Sequence, residues 1–598
     1  MAFVDWEAGS YALVQWCCKV ILHVFFREVD VVGLERIPLY GPVIFVGNHS
    51  NQFVDGAMLI GKMPRDVSFL VAAKSFHRPV IGMLCKGAGC IPVKRPQDLT
   101  FKGKGKLILT PGDKTVKGEE TAFRLDFKPG DKVSPMKPDG KTSGPSVTIA
   151  DVLSDTEAQI SDTVPEDYQP PEGGAQFKVL PKVDQADVYD AVNDHLRAGG
   201  CIGIFPEGGS HDRTTLLPLK PGVAIMALSS ISEGAEGVTI VPVGINYFEA
   251  HRFRSQAIIE IGMPIQPEDS LVERYQNDQE RRDAVNELLA IVDKSLRRVI
   301  LTAGDYEEQK CIRLSVSLYK PDRTKLPRES MFVMSQMFST LWEKCRESPD
   351  IDSLRGKLKL YGAKLKAYGV SDNQVWRLRV SLFSSITALL YRVLILLLSV
   401  TLGAPLMVLW GPIWMICWRQ SSLHQAKALK ESKVKIRATD VLASYKILVA
   451  LVMVPLFNLI YSLIFGFIYF DNWHERLLTV IVGMAVLPSA YYASLRQMEK
   501  VIPLIRTIRT LFGSVLRSVN LWRDQEREIA FTRMELQITV RDVIQRLGPS
   551  VSDTWLEQLN QVVPKVVVDA DSKRLHSRKE AFVPKRARTA YDNRQEIL

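Results

Sequence analysis

The chain has 598 residues, 46% hydrophobic and 24% charged, and a formal net charge of +10. That length exceeds what one ordinary core organises, so several structural parts are expected, with apolar blocks hidden inside an average composition. Positive charge beside such blocks fits an anionic lipid surface or phosphorylated substrates and argues against nucleic acid, while eight cysteines match neither a zinc ribbon nor a disulfide framework.

Residues 1–40 begin with Asp5 and Glu7 where a secretory leader would be basic, so no cleaved leader is expected and the N-terminus is expected in the cytosol. Leu13, Trp16, Cys17, Val20, Val24 and Phe25 fall at helical spacing, interrupted by Gln15, Lys19, His23 and Arg27. This describes either a helix lying in a membrane interface or one packed on its own domain.

Across residues 41–265, short apolar runs (43–46, 67–72, 201–205, 238–243 and 257–261) alternate with helical patterns such as 186–197. They read as buried strands of an α/β domain with a mostly parallel sheet flanked by helices. Residues 102–178 interrupt it, rich in Gly, Pro, Lys and Asp with only short β-like pieces such as 121–127; their composition favours disorder over a folded cover.

Residues 266–384 turn helical, with an apolar stripe at Ala284, Leu288, Leu289 and Val292. The apolar run 385–418 would make a straight helix of about 50 Å against a hydrocarbon core of about 30 Å. Gly403, Ala404 and Pro405 near its middle leave a tight hairpin or a kinked span as alternatives. Apolar stretches within 447–495 form a transmembrane hairpin around 471–476, and the basic loop 419–446 is placed in the cytosol by the positive-inside tendency. Four segments would put every soluble part on one side. Residues 496–568 are helical, and 569–598 form a polar, basic tail expected to be disordered.

Four short segments of the α/β part carry chemistry. The first, residues 48–55, places His49 after a strand with Asp55 nearby: a general base held by an acid, or a helix cap with a structural hydrogen bond. In the second, residues 89–95, Lys94 and Arg95 follow a rigid turn, as a phosphate holder or as ordinary surface charge. The third, residues 205–213, follows a strand. Its adjacent Gly208 and Gly209 allow backbone N–H groups near an anion, and Arg213 can grip a phosphate at two points. The fourth, residues 240–247, is mainly an apolar strand.

In this order the segments resemble the four blocks of the glycerol-phosphate and lysophosphatidate acyltransferase family over residues 43–264, and the later spans resemble the fungal glycerol-3-phosphate/dihydroxyacetone-phosphate type. The resemblance implies His49 as catalytic base oriented by Asp55. It also implies a phosphate site from Glu207, Gly208, Gly209, Ser210 and Arg213 with Arg95, and an acyl-CoA wall at Pro242. It implies acyl-CoA as co-substrate, no metal or resident cofactor, glycerol 3-phosphate or dihydroxyacetone phosphate as acceptor, and a multi-pass protein of the endoplasmic reticulum membrane with a cytosolic catalytic domain. A lysophospholipid acyltransferase and a non-catalytic lipid-handling scaffold are the alternatives; oligomeric state is not fixed. One departure stands out. The family separates His and Asp by four residues, whereas five lie between His49 and Asp55, so the pair requires an irregular loop.

Overall fold

Apolar runs of four to eight residues become strands here because helices cover both sheet faces, so alternation of apolar and polar positions is unnecessary. The computed structural model describes residues 6–582 apart from 95, 97–98, 137–143, 172, 184–185, 214, 248–249, 301–305, 323, 325, 369–371, 376–381, 433 and 519–522. Strands β1 (Glu28–Val32), β2 (Val43–Gly47), β3 (Val67–Ala72) and β4 (Ile91–Val93) come first. The insertion contributes β5 (Phe101–Lys102), β6 (Lys106–Leu109), β7 (Thr115–Glu119), β8 (Lys132–Pro135), β9 (Val147–Val152), β10 (Glu157–Ile160) and β11 (Phe177–Leu180). Then follow β12 (Cys201–Ile204), β13 (Thr239–Tyr247) and β14 (Gln256–Ile261).

The first sheet has seven strands in the order β1-β14-β13-β2-β12-β3-β4, parallel throughout except for the antiparallel pair β13–β14. Central β2 shows why its run is wholly apolar. Val43 and Phe45 enter the core under the N-terminal helix Trp6–Phe25, while Ile44 and Val46 enter the opposite core with Val192, Leu228 and Leu288. The N-terminal helix buries Tyr11, Val14, Cys18 and Leu22 on this domain and leaves Leu13, Trp16 and Val20 exposed, so it packs with one face and presents an apolar stripe with the other.

The insertion is folded, against the expectation of disorder. Its seven strands form a separate antiparallel sheet, order β5-β11-β8-β9-β10-β7-β6, and the bridge Leu107–Ala175 ties β6 to the segment just before β11. Phe123, Phe127, Val133, Ile149 and Phe177 fill a core of their own. The stretch expected to be β-like, 121–127, instead contains the helical turn Phe123–Asp126. Strands of two to six residues between glycine turns bury too few consecutive apolar residues to register as a pattern.

Helices Asp269–Gln276 and Arg281–Val299 pack on the first sheet through Leu271, Ala284, Leu288, Val292 and Leu296. The following helices, Tyr306–Tyr319, Arg328–Lys344 and Pro349–Tyr368, share one core with Arg523–Leu547 and Trp555–Val562. One folded body is thus assembled from both sides of the apolar segments. Arg533 ties it together, paired with Asp372 at 2.9 Å and Asp322 at 2.9 Å, while Tyr361 and Ser317 also donate to Asp372 at 2.7 Å each. Residues 569–582 extend the helix Lys565–Phe582 rather than a disordered tail, with Val568 and Leu575 buried and Asp571 bonded to Arg541; residues 583–598 lie outside the described residues.

Among the described residues three helices are long and apolar enough to cross a membrane, and the protein is membrane-associated. Leu382–Glu431 is one continuous helix containing Pro405 and Pro412, so the alternative of a hairpin at Gly403–Pro405 is corrected to a single proline-containing helix, and the four expected segments become three. Leu442–Tyr469 and Trp473–Ser518 form the second and third, joined by the short connection at Phe470–Asn472.

Candidate active site

The C-terminal ends of β2, β12 and β13 lie side by side, and the loops leaving them meet. That is where open parallel sheets place ligands. His49 follows β2, and its Nδ1 lies 2.9 Å from Asp55 Oδ2. The extra residue between them is absorbed at Gln52, whose φ of 42° turns the chain back immediately before the helix Phe53–Lys62. A non-glycine residue in that region stores strain, which the surrounding bonds hold in place. Asp55 is fully buried, and its Oδ2 also accepts the Asn51 N–H at 2.7 Å while Oδ1 accepts the Tyr247 hydroxyl at 2.5 Å. A carboxylate receiving these donors makes His49 Nδ1 the protonated nitrogen and leaves Nε2 as the basic one. The His49 ring stacks on Phe205, with centroids 4.4 Å apart and planes 7° from parallel.

Tyr247 was not singled out by sequence, where it ends an apolar strand. Burial first, and then the neighbouring Asp55 charge, push its phenol well above the ordinary value, so it stays a donor at any physiological pH. Asn48 locks the same loop to β13: its Oδ1 accepts the Ile245 N–H at 2.7 Å and its Nδ2 donates to the Ile245 carbonyl at 3.1 Å.

The turn after β12 is held by bonds of its own. Glu207 braces the loops. Its Oε1 accepts the His49 N–H at 2.8 Å, and its Oε2 accepts the Leu217 N–H at 2.9 Å and His211 Nε2. The Arg213 N–H donates to His211 Nδ1 at 3.2 Å, which fixes the proton of that buried ring on Nε2. Gly208 has φ +76°, and a Cβ there would meet Lys220 Nζ at 2.2 Å; a Cβ at Gly209 would meet nothing within 4 Å, leaving that side open to a ligand. Ser210 Oγ donates to Asp440 at 2.6 Å, so its hydroxyl is engaged by the segment between the first two long helices. Arg213 Nε donates to the Val434 carbonyl at 2.8 Å, and the residue lines a cavity of about 1010 Å³.

That cavity is also lined by Asn48, Tyr247, Arg252, Arg313 and Phe332. Pro242 is not part of it: it sits in mid-strand paired with Val46 and beneath Gly262, so the fourth segment reaches the site through Ile245 to Tyr247 instead. Arg95 lies outside the described residues.

Helix Leu442–Tyr469 touches both loops. Ser444 Oγ donates to the Asn51 carbonyl at 2.9 Å, and Lys446 reaches the His251 carbonyl at 3.3 Å. This apolar helix therefore braces the loop that carries the dyad, a contact with no local signal in the sequence.

A parallel-sheet domain carrying this dyad and turn is an acyltransferase domain, and residues 28–117 and 177–246 match the family described as Acyltransferase. Residues 311–552 match the one described as Glycerol-3-phosphate acyltransferase 2 C-terminal domain. An uncharacterized acyltransferase of Schizosaccharomyces pombe is 35% identical over 90% of this chain and 81% of its own length. Glycerol-3-phosphate O-acyltransferase 1 of Saccharomyces cerevisiae is 37% identical over 76% of this chain and 61% of its own length. Glycerol-3-phosphate O-acyltransferase 2 of the same yeast is 30% identical over 92% and 78%. The chain belongs to the glycerol-3-phosphate O-acyltransferase family.

Proposed function

We propose that this chain transfers a fatty acyl group from acyl-CoA to the sn-1 hydroxyl of glycerol 3-phosphate or dihydroxyacetone phosphate, the entry step of glycerolipid synthesis. The observation that carries the reading is the His49–Asp55–Tyr247 array around a buried carboxylate, next to a glycine turn and a cavity lined by arginines in a chain of this family. His49 Nε2 takes the proton of the acceptor hydroxyl as its oxygen attacks the thioester carbonyl. Collapse of the tetrahedral species breaks the C–S bond, and the imidazolium returns its proton to the departing thiolate, so no acyl-enzyme forms. Backbone N–H groups of the Gly89–Pro92 segment or of the glycine turn serve the oxyanion. Acyl-CoA is a co-substrate, and the reaction as written calls on no resident cofactor.

The reading places the protein in the endoplasmic reticulum membrane with its soluble bodies in the cytosol. Residues 311–375 share a core with 529–568, and residues 434–440 lie on the acyltransferase domain. In this reading the helices Leu442–Tyr469 and Trp473–Ser518 form a crossing hairpin that returns the chain to the catalytic side.

The purified full chain, given acyl-CoA and each acceptor, tests the function by CoA release. Turnover with glycerol 3-phosphate is expected, and His49→Ala should lower it by roughly a hundredfold or more. A few-fold loss would remove His49 from the chemistry, and turnover with lysophospholipids alone would favour that class instead.

A further inference from the structure

The segment joining the first two long helices lies as a strap across the turn after β12. Asp212 anchors it, accepting the backbone N–H groups of Ile436 at 2.8 Å, Arg437 at 2.7 Å and Thr439 at 3.2 Å. Desolvation alone would raise the Asp212 pKa, but these three donors together with its own backbone N–H outweigh it and hold the carboxyl below its ordinary range. A second tie joins Ser210, Lys435 and the fully buried Asp440. The third runs from Arg213 to the Val434 carbonyl.

These ties carry Arg437 to the wall of the same cavity that Arg213 lines. Among the described residues neither guanidinium has a carboxylate within ion-pair distance. The nearby acids are already committed: Asp212 to the strap backbone, Glu207 to His49, Leu217 and His211, and Glu307 to Lys310. Two uncompensated guanidinium groups on one cavity wall leave a charge that a compact dianion would neutralise through charge-assisted hydrogen bonds. The backbone of Arg437 is fixed twice, by Asp212 at its N–H and by Gln425 at its carbonyl, at 2.8 Å. Fixing the backbone lowers the entropy lost when the side chain engages a ligand.

Resting on the acceptor being a phosphorylated alcohol, we propose that the strap is one wall of the acceptor site, and that Arg437 determines specificity by gripping the acceptor phosphate together with Arg213. The glycine turn then supplies only half of the phosphate site; the other half arrives from a segment more than two hundred residues away, held by the membrane helices. An acceptor lacking the phosphate loses both cations, so the device selects phosphorylated alcohols over free ones.

Full-length protein in detergent or native membranes, carrying Arg437→Gln or Arg437→Lys, decides the matter by initial rates against each substrate. The Michaelis constant for glycerol 3-phosphate should rise roughly tenfold or more in the glutamine variant and be partly restored by lysine, while kcat and the constant for acyl-CoA stay within about threefold. A rise confined to acyl-CoA would assign Arg437 to the donor, and unchanged constants would make it a surface residue; either result overturns the proposal. Should the glutamine variant fail to accumulate, glycerol 3-phosphate should slow tryptic cleavage after Arg437 in the wild-type chain, and absence of protection refutes it equally. A wild-type chain that turns over acyl-CoA but never with glycerol 3-phosphate overturns the acceptor reading and this inference with it, an outcome distinct from any variant constant.

Discussion

Asp55→Asn isolates what the buried carboxylate does for His49. The aspartate is inaccessible to solvent and accepts from His49, from the Asn51 backbone and from Tyr247. An amide of the same shape offers one oxygen. Placed at the Oδ2 position, that oxygen keeps the contacts to His49 and Asn51, but the charge facing the imidazolium is lost. Rotated, the amide donates to Nδ1 and forces the proton onto Nε2, which can then no longer accept one. A hydrogen bond to a charged group contributes about 1.5 to 3 kcal/mol, and the wrong tautomer costs about 10⁴ in rate in enzymes with a comparable acid–histidine pair. The expected loss in kcat is therefore on the order of 10² to 10⁴, with the Michaelis constants nearly unchanged. Tyr247→Phe is the companion change. It removes one donor from Asp55 but keeps the carboxylate and its bond to His49. The loss in kcat should therefore be much smaller than that of Asp55→Asn. Initial rates of CoA release read both variants. If Asp55→Asn costs no more than a few-fold, or Tyr247→Phe costs as much as Asp55→Asn, the array does not orient the base.

Two stability predictions follow from buried charge. Arg533→Ala leaves Asp372 and Asp322 facing each other without their cation, a change expected to cost about 3 to 5 kcal/mol and to lower the thermal transition of the helical body; a variant as stable as the wild type would show that water reaches those carboxylates. Burial pushes the Glu260 pKa from 4.5 up to about 7, with Arg36 only partly opposing it. Because the folded pKa is raised, the unfolded chain releases this proton first, so stability should fall as pH rises from about 4.5 to about 7 and stay level above, by about 3 kcal/mol at most. Glu260→Gln should flatten that slope in thermal denaturation, and an unaltered slope would place its origin elsewhere.

Elements whose signal is local could be read from the residues alone. The buried strands β2, β3, β12, β13 and β14 were legible because each is a short apolar run covered on both faces. The hairpin within 447–495 was legible because its apolar stretches are long enough to cross a bilayer. His49 and Asp55 were legible as residue types, although the spacing between them was not one a regular helix could satisfy. Tertiary structure decided how that spacing works, through the turn at Gln52 and the bonds from Asn51 and Tyr247 that converge on Asp55. It also decided that Glu207 braces loops, that Pro242 stays inside the sheet, and that residues 102–178 fold around Phe123 and Phe177. The strap is the clearest case. Nothing within residues 434–440 marks them as part of a phosphate site, because their function comes from Asp212, and a contact between residues so far apart along the chain leaves no periodicity or spacing to read.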